Sequence, residues 1–408
     1  MNLQPSVLPY LTADLPGIGG RIRERLEDFR VEEIPLYDPC GEGTHVYFRV
    51  AKEGVATQVA VGRIARYMGV RPAEIGLAGL KDAAAVTSQM MSLEHADPDK
   101  LAAYGDSQVR VTWTGRHANK LRMGHLAGNR FTIRIRQAGP EHLAGARRIL
   151  DVLAARGVPN YFGPQRFGLR GDTAELGRAL VKEDLDRFVA LYLGRSRPDD
   201  PPDCRAARDA FDAGFLDRAI QCWPRHYGDE RRALAAYKKK RRPAQALAAI
   251  DKRMRGFYVS AFQSLMFNEV LAGRIGAIDR LMWGDLAQKH DSGGIFTVED
   301  AAAEQLRADA FEISPTGPIV GYRSSLASGE PGKMEKAVLD EQAVSQDDFR
   351  RTATLKVKGG RRPLRARLEA PSLAAGMDDH GSFIELSFAA PSGCYATVVL
   401  REIIKAGE

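Results

Sequence analysis

The first 160 residues alternate between the patterns of strands and of helices. The segment HVYFRV at 45–50 is rich in aromatic and β-branched residues, as strands are. Over 57–69, apolar residues recur at helical spacing, with Thr57 as the candidate N-cap and Gly69 as the residue that ends the helix. We therefore expect a strand followed by a helix that packs against it.

A second strand and helix follow. The segment RFTIRIR at 130–136 alternates Phe131, Ile133 and Ile135 with Thr132, Arg134 and Arg136. This is the period-two pattern of a strand with one buried face and one wet, basic face. The segment 141–157 then carries leucines and alanines on one helical stripe and closes on Gly157. We expect this helix to cover the sheet.

The pattern changes in the middle of the chain and changes back near its end. Between about 170 and 275 the signals are mainly helical, with a turn-rich break at 196–203. Strand-like patterning returns at 352–360 and 382–388, and a final helix follows, with Ser392 as its candidate N-cap. Because the two ends have the same texture, the sequence predicts an α+β protein in which one domain is built from both termini.

The charge of the chain favours an anionic partner. The 408 residues contain 59 Lys and Arg against 52 Asp and Glu, a formal charge of +7. Dense basic runs lie at 237–243 and 356–367, and further basic residues are spread through 115–136. Any one of these runs is also consistent with a solvated surface. Together they favour a long phosphate-bearing ligand, and we expect the basic face of 130–136 to contact RNA.

Several classes of protein are disfavoured. No apolar run reaches the length of a membrane span, and the N-terminus lacks the pattern of a signal peptide, so we expect a cytoplasmic protein. The cysteines form no C-x-x-C pair and the histidines do not cluster, which predicts no metal site. The segment ASGEPGKM at 327–334 only approaches a phosphate-binding loop, because Met334 replaces the required hydroxyl and Pro331 lacks an N–H. We therefore expect no nucleotide cofactor.

The most informative segment is GLAGLKDAAAVTSQ at 76–89, which contains Lys81 and Asp82. Alone, this aspartate is typical of a solvated surface turn. Six further segments accompany it in order along the chain: DFRVEEIPLY (28–37), NKLRMGHLAGNRFTIRIR (119–136), NYFGPQRFG (160–168), SAFQSLMFNEVLAGR (260–274), TGPIVG (316–321) and PSGCYATVVLREI (391–403). Together they resemble the TruD family of tRNA pseudouridine synthases.

The resemblance implies a fold and a reaction. It implies a pseudouridine synthase-type catalytic domain at 1–165 and 355–408, with a mixed and mainly antiparallel sheet, and an inserted helix-rich α/β TRUD domain at 166–354. It implies isomerisation of a tRNA uridine, uridine 13 in the D arm, without cofactor or metal. Asp82 matches the family's catalytic aspartate, which either adds to C1′ of the ribose or removes a proton from C2′.

A carboxylate in a cleft needs a nearby cation to stay ionised. Lys81 is adjacent, but neighbouring side chains of an extended segment point to opposite sides, so we expect Lys81 to contact phosphate instead. Arg401, in the C-terminal helix, is our candidate for the cation beside Asp82.

The target uridine must leave its stack to reach a carboxylate, and flat side chains offset part of that cost. The matching segments make Phe29, Phe131 and Tyr395 the candidates for stacking, with Asn129 as a hydrogen-bonding partner of the uracil edge or the sugar. For a phenylalanine in an alternating strand, core packing is the competing interpretation.

Two other functions are compatible with parts of the sequence. One is a catalytically inactive tRNA-binding protein of the same fold that acts as a folding chaperone, although the intact GLKD and T-x-Q segments favour catalysis. The other is a nucleotide-driven RNA enzyme, which depends on the defective segment at 327–334. We expect tRNA as the partner and a monomer as the active form, because one tRNA is expected to span both domains.

Overall fold

The computed structural model describes residues 8–351, 355 and 357–405. They divide into two units, the first comprising 11–158 and 366–405, and the second comprising 159–365 with 8–10. The chain passes from one unit to the other at 10/11, at 158/159 and at 365/366. The sequence places the last two of these boundaries at 165/166 and 354/355.

The N-terminal part of the first unit alternates strands with short helices. Its elements are β1 (Phe29–Pro35), β2 (His45–Glu53), α1 (Thr57–Met68), β3 (Gly76–Leu77), β4 (Val86–Glu94), α2 (Pro98–Ala102), β5 (Val109–His117), β6 (Leu126–Arg136) and α3 (Leu143–Arg156). The predicted strands at 45–50 and 130–136 and the predicted helices at 57–69 and 141–157 are therefore confirmed.

The second unit is rich in helices, as predicted for 170–275. Its elements, with the short strands at the two crossings, are β7 (Val158–Pro159), α4 (Thr173–Val181), α5 (Leu185–Leu193), α6 (Pro202–Asp212), α7 (Leu216–Cys222), α8 (Gly228–Lys240), α9 (Pro243–Ala248), α10 (Lys252–Gly273), β8 (Leu286–Lys289), β9 (Ile295–Thr297), α11 (Ala301–Asp309), β10 (Ile313–Ile319), α12 (Gly329–Glu341), α13 (Gln346–Arg351), β11 (Gly360–Pro363) and β12 (Arg365–Ala366). The four strands β11, β10, β8 and β9 form a sheet in that order.

The core of the second unit surrounds the central helix α10. Phe262, Leu265 and Met266 of this helix are buried together with Trp223 and Phe349. Buried residues occur on every side of α10, which is the pattern of a helix enclosed by its neighbours rather than one lying on a surface. Of the predicted strand at 352–360, residues 352–354 and 356 lie outside the described residues.

The first unit is completed by β13 (Glu369–Asp378), β14 (Gly381–Pro391) and α14 (Ala396–Ile404). Its sheet has the order β13-β14-β6-β1-β4-β2-β5, and β3 pairs with β4 beside this path. The pairing is antiparallel except between β1 and β4, which run parallel. The sheet is thus mixed and mainly antiparallel, and the α+β fold is confirmed.

Two predicted helix caps are wrong. Thr57 is the first residue of α1, whose N-cap is Ala56. Ser392 lies outside α14, whose N-cap position is Tyr395. The hydroxyl of Thr57 does not cap the helix because it contacts the loop that carries Asp82, as described below.

Two arginines of the predicted basic face of β6 are held in ion pairs within the protein. Arg136 is only 2% exposed, and its guanidinium pairs with Asp28 at 2.6 Å and with Asp378 at 2.6 Å. Arg134 pairs with Asp378 at 3.3 Å and with Glu385 at 3.1 Å. These ion pairs join β6 to the start of β1 and to the hairpin of β13 and β14, so the two arginines have a structural role.

The basic runs at 237–243 and 356–367 differ in how far their side chains are exposed. Residues 238–242, at the end of α8, are exposed. In the run at 356–367, by contrast, the side chain of Arg361 is 4% exposed and pairs with Glu335 at 2.7 Å, and Arg365 is 1% exposed. Two arginines of the second run are therefore used inside the protein, while Lys358 and Arg367 of the same run are exposed. Among the described residues, none of the helices is both long and apolar enough to cross a bilayer.

Candidate active site

The loop between β3 and β4 carries Lys81 and Asp82, and side chains from three elements fix its backbone. The ammonium group of Lys52 donates to the carbonyl oxygen of Asp82 at 2.8 Å and to that of Val55 at 2.7 Å. The hydroxyl of Thr57 accepts from the N–H of Lys81 at 2.9 Å. Because these partners lie in β2 and at the start of α1, the position of the loop is set by the sheet and its helix.

Gln89 of the T-x-Q segment completes this arrangement. Its amide nitrogen donates to the carbonyl oxygen of Gly79 at 3.0 Å, and its oxygen accepts from the hydroxyl of Thr57 at 2.9 Å. Gln89 is 1% exposed, so its contacts are made in the interior. The glutamine of this segment therefore supports the loop and does not face a ligand.

The side chain of Lys81 points inwards. It is 6% exposed, and its ammonium group lies 3.0 Å from the carboxylate of Glu33, which is 1% exposed. The same ammonium group donates to the Oδ1 atom of Asn129 at 2.5 Å. The predicted contact of Lys81 with phosphate is therefore wrong, because this cation is committed to a buried ion pair.

The side chain of Asp82 points outwards, as expected for a residue next to Lys81, and is 46% exposed. Its Oδ2 atom lies 2.6 Å from the Nη2 atom of Arg23. The Arg23 guanidinium also lies 4.3 Å from the centroid of the Phe29 ring. The carboxylate is thus reachable by a ligand and is held next to a cation and an aromatic side chain.

The segment that supplies Arg23 has an unusual backbone. Arg23 has φ 61°, a left-handed conformation that costs a residue with a side chain about 1–2 kcal/mol. Three residues earlier, Gly20 has φ 97°, and a Cβ atom there would lie 2.7 Å from a methyl group of Ile135. The glycine allows the segment to pass close to β6, and residues in strained conformations of this kind are concentrated at functional sites.

Lys52 is a buried cation of this region. Burial lowers the pKa of Lys52 to about 8, while the nearby Asp82 carboxylate acts in the opposite direction and Lys81 lowers it further. Three cations, Arg23, Lys52 and Lys81, therefore surround a short loop that carries one exposed carboxylate.

Comparisons with known proteins identify the family of this chain. A family model described as tRNA pseudouridine synthase D (TruD) matches residues 7–403. The chain belongs to the TruD family. It is 44% identical over 399 residues to a tRNA pseudouridine synthase D from Geobacter sulfurreducens, covering 97% of this chain and 96% of the relative. A relative of the same name from Anaeromyxobacter dehalogenans is 40% identical and covers 98% of this chain, which in turn spans 96% of that relative.

A solved structure shares the fold. The crystal structure from Methanosarcina mazei described as a tRNA pseudouridine synthase D (TruD) has a TM-score of 0.85 to this chain and 28% sequence identity. The similarity covers 99% of this chain and 97% of that one. The resemblance to the TruD family on which the sequence analysis rests is therefore confirmed.

The two phenylalanines taken from the TruD resemblance lie in the interior. Phe29 is 2% exposed and Phe131 is 7% exposed. Their rings meet edge to face with centroids 6.5 Å apart, and Phe131 also contacts Phe388 at 5.2 Å. Phe131 therefore packs in the core, and an open stacking face on this ring is the wrong expectation. Phe29 touches the site, but the Arg23 guanidinium covers its ring.

The other predicted residues are placed as follows. Asn129 lies opposite Glu33 in the register of β6 and β1, which explains how both reach Lys81. Tyr395 is half-buried at the N-terminus of α14, and Arg401 is half-buried within that helix. The cation that the structure places beside Asp82 is Arg23 and not the predicted Arg401. The roles of Asn129, Tyr395 and Arg401 in substrate binding stay predictions.

Sequence reasoning missed Arg23, Glu33 and Lys52. Two of them left a signal in the sequence. Glu33 follows Phe29 and Val31 at alternating positions of β1, and Lys52 follows the buried apolar positions of β2. A charged residue in a row of inward positions is costly unless it is paired, so it indicates a partner elsewhere in the chain. Arg23 left no comparable signal. Among the described residues, no group of three or more His, Cys, Asp or Glu side chains is arranged to hold a metal ion.

Proposed function

We propose that this TruD-family chain converts a uridine of tRNA, uridine 13 in the D arm, to pseudouridine, and that Asp82 is the carboxylate that acts on the ribose. One observation carries the proposal: Asp82 is 46% exposed and pairs with Arg23 at 2.6 Å, on a loop whose backbone Lys52 holds at 2.8 Å. A nucleophile or base must be both accessible and fixed in position, and this carboxylate is both.

In the proposed reaction, the bond between C1′ of the ribose and N1 of uracil breaks. The base then turns, a bond forms between C1′ and C5, the proton on C5 leaves to solvent, and N1 takes up a proton from solvent, so that the product is an isomer of the substrate. An ionised carboxylate assists by adding to C1′ or by taking the C2′ proton as uracil departs. On either route Arg23, 2.6 Å from the Asp82 carboxylate, holds it in position through their ion pair.

The proposed recognition of the base uses Asn129. Its oxygen accepts from Lys81, which leaves the NH₂ group as the part of this side chain that donates to a uracil carbonyl. Lys81 and Glu33 thereby fix the orientation of the amide. Tyr395 is proposed to stack on the extruded base, which offsets a few kcal/mol of unstacking. Phe131 supports Phe29 by packing, without contact to the base.

Release of tritium from 5-tritiated uridine in bulk tRNA tests the proposal. The wild type is expected to release tritium with no added metal or nucleotide. Asp82→Asn keeps the shape of the side chain but removes its charge, and we expect the rate to fall roughly 10³-fold or more. Equal release by the two proteins would remove Asp82 from the mechanism.

The same assay separates the competing functions. A wild type that binds tRNA and releases no tritium would be the inactive chaperone. Release that requires ATP would instead indicate a nucleotide-driven enzyme. The modified position is found by carbodiimide treatment and primer extension, with a stop expected at uridine 13. Light scattering during size-exclusion chromatography tests the proposal that the chain acts as a monomer.

A further inference from the structure

A pocket that is separate from the contacts of Asp82 lies in the first unit, beyond the C-terminal end of β1. Its volume is about 460 Å³, and it is lined by Tyr37, His117, Asn119, Lys120, Arg122 and His125, with Asp38 as its carboxylate. None of these residues takes part in the contacts of Asp82 described above. The composition of the pocket, basic and aromatic side chains together, is that of sites which hold single-stranded nucleic acid.

The aromatic wall of the pocket is fixed by hydrogen bonds and ring contacts. The Tyr37 hydroxyl lies 2.9 Å from the Nδ1 atom of His125, and the Tyr37 ring stacks on that of His117 with centroids 5.1 Å apart. The hydroxyl of Tyr47, whose ring also touches His117, donates to the carbonyl oxygen of Asn119 at 3.0 Å. A preformed wall of flat rings costs little ordering when a base binds to it.

The cations of the pocket are available to an anion. Lys120 donates to the carbonyl oxygen of Ala73 at 3.0 Å, and Arg122 is exposed. Within 8–351, 355 and 357–405, no carboxylate forms an ion pair with either side chain. Asp38 is the one carboxylate among the lining residues, so positive charge exceeds negative charge at the mouth of the pocket.

Two exposed apolar side chains lie next to the pocket. Leu36 precedes Tyr37 and is 56% exposed, and Met123 follows Arg122 and is 63% exposed. Large apolar side chains that are exposed beside a basic pocket are typical of surfaces that contact unstacked bases.

The chain connects this pocket closely to Asp82. Ala78 packs in one apolar cluster with Tyr47 and Leu126, against which Tyr37 also packs. The N–H of Gly124, next to His125, donates to the carbonyl oxygen of Ala78 at 2.8 Å. Ala78 lies four residues before Asp82, a span of at most about 13 Å. The pocket and the carboxylate are therefore close enough to contact different nucleotides of one RNA.

We propose that this pocket binds a second nucleotide of the RNA substrate, with its phosphodiester on Arg122 and Lys120 and its base against the rings of Tyr37 and His117. The inference rests on the proposed function, because it assigns the pocket to the same RNA that presents its uridine to Asp82. It adds a site that holds the RNA in register while one nucleotide is extruded.

The test uses full-length protein carrying Asp82→Asn, so that tRNA affinity is measured without turnover. Arg122→Gln and Lys120→Gln are expected to weaken tRNA binding about three- to fivefold each. Each is also expected to reduce the slope of log Kd against log salt concentration by about 0.7–0.9, the value for one lost phosphate contact. Tyr37→Leu is expected to weaken binding with no change in the salt slope, because it removes stacking and no charge.

Arg66→Gln is the matched control. Arg66 is exposed on α1, whose Ile64 lies in the core with Val46 and Phe48. Tyr47 lies between these two residues in β2 and points to the opposite side of the sheet, towards the pocket. Removing this charge is expected to leave both the affinity and the salt slope at the values of the Asp82→Asn parent.

The outcomes distinguish this inference from the proposed function. Unchanged affinity and salt slope in Arg122→Gln and Lys120→Gln would overturn the pocket assignment, while tritium release by the wild type would leave the isomerase in place. Inorganic phosphate and uridine monophosphate are added separately as competitors. Displacement of tRNA by millimolar phosphate from the parent, with none from Arg122→Gln, would show a site for free phosphate and overturn the assignment to RNA. Displacement by uridine monophosphate but not by phosphate, from the parent and markedly less from Arg122→Gln, would support it.

Discussion

The Nη2 atom of Arg23 lies 2.6 Å from the Oδ2 atom of Asp82, although 59 positions separate the two residues in the sequence. Both side chains are partly exposed, so this ion pair contributes little to the stability of the fold. Its effect is on the position of one carboxylate and on the charge that lies beside it. Arg23 should therefore matter for catalysis far more than for folding.

Replacement of Arg23 tests this. Arg23→Met keeps a long side chain without charge, and we expect the single-turnover rate of tritium release to fall about 10²-fold. Arg23→Lys restores a cation and is expected to recover most of that loss. Both variants should unfold at nearly the wild-type urea concentration. Wild-type rates in Arg23→Met would exclude a role for this guanidinium in the reaction.

Unlike the exposed pair of Arg23 and Asp82, the buried pair of Lys81 and Glu33 is expected to affect the stability of the fold strongly. Lys81→Met leaves the Glu33 carboxylate, 1% exposed, without its cation, and we expect a loss of about 3–5 kcal/mol in the free energy of unfolding. The double variant Lys81→Met/Glu33→Gln removes both charges and should regain much of this stability. Urea unfolding followed by circular dichroism measures both. A double variant no more stable than Lys81→Met would show that charge burial is not the cause.

Lys52 gives a prediction about pH. Its pKa is about 8 in the folded protein, because burial disfavours the charged form, against about 10.4 in the unfolded chain. Between these values the unfolded state binds more protons than the folded state, so the contribution of Lys52 to stability rises with pH. We expect the difference in unfolding free energy between the wild type and Lys52→Met to grow from pH 8 to pH 10. A constant difference would contradict the lowered pKa.

The contribution of Glu269, on α10 in the second unit, to stability is expected to fall as pH rises, the opposite of the trend for Lys52. Burial raises the pKa of Glu269 to about 7, although a hydrogen bond from Gln342 at 3.0 Å lowers it. The folded state keeps this proton between about pH 4.5 and 7, where the unfolded state has lost it, so stability falls as pH rises through that window.

Glu269→Gln removes this titration and is the matched variant. It should become more stable relative to the wild type between pH 4.5 and 7, and the gain should level off above pH 7. Thermal unfolding at fixed ionic strength measures the difference. A relative stability that does not change with pH would show that Glu269 titrates normally in the folded protein.

The sequence predicts the local features of this protein well. The alternation of Phe131, Ile133 and Ile135 and the helical stripe of α1 are set by residues that are neighbours in the chain, so their patterns predict β6 and α1 directly. Asp82 and Lys81 stand out through a segment that is specific to the family. The opposite directions of their side chains also follow from local geometry.

The partners of these residues depend on the tertiary fold and were not predictable in the same way. Arg23 reaches Asp82 only because residues 20 and 21 pass close to the end of β6. Arg136 loses its exposure only when β14 and β13 pair beside it. In each case the charge was visible in the sequence and its partner was not. Charged residues at inward strand positions, such as Lys52, are the one signal that would have indicated such pairs.

The order of the strands has a consequence for synthesis of the protein on the ribosome. β14 pairs with β6 from Gly128 to Arg136, yet β14 begins at Gly381, 245 positions after β6 ends. While the intervening residues are being translated, β6 has an unpaired edge, and such edges readily join other chains. The nascent protein therefore needs shielding of that edge, by a chaperone or by its own helices, until the last few dozen residues emerge from the exit tunnel.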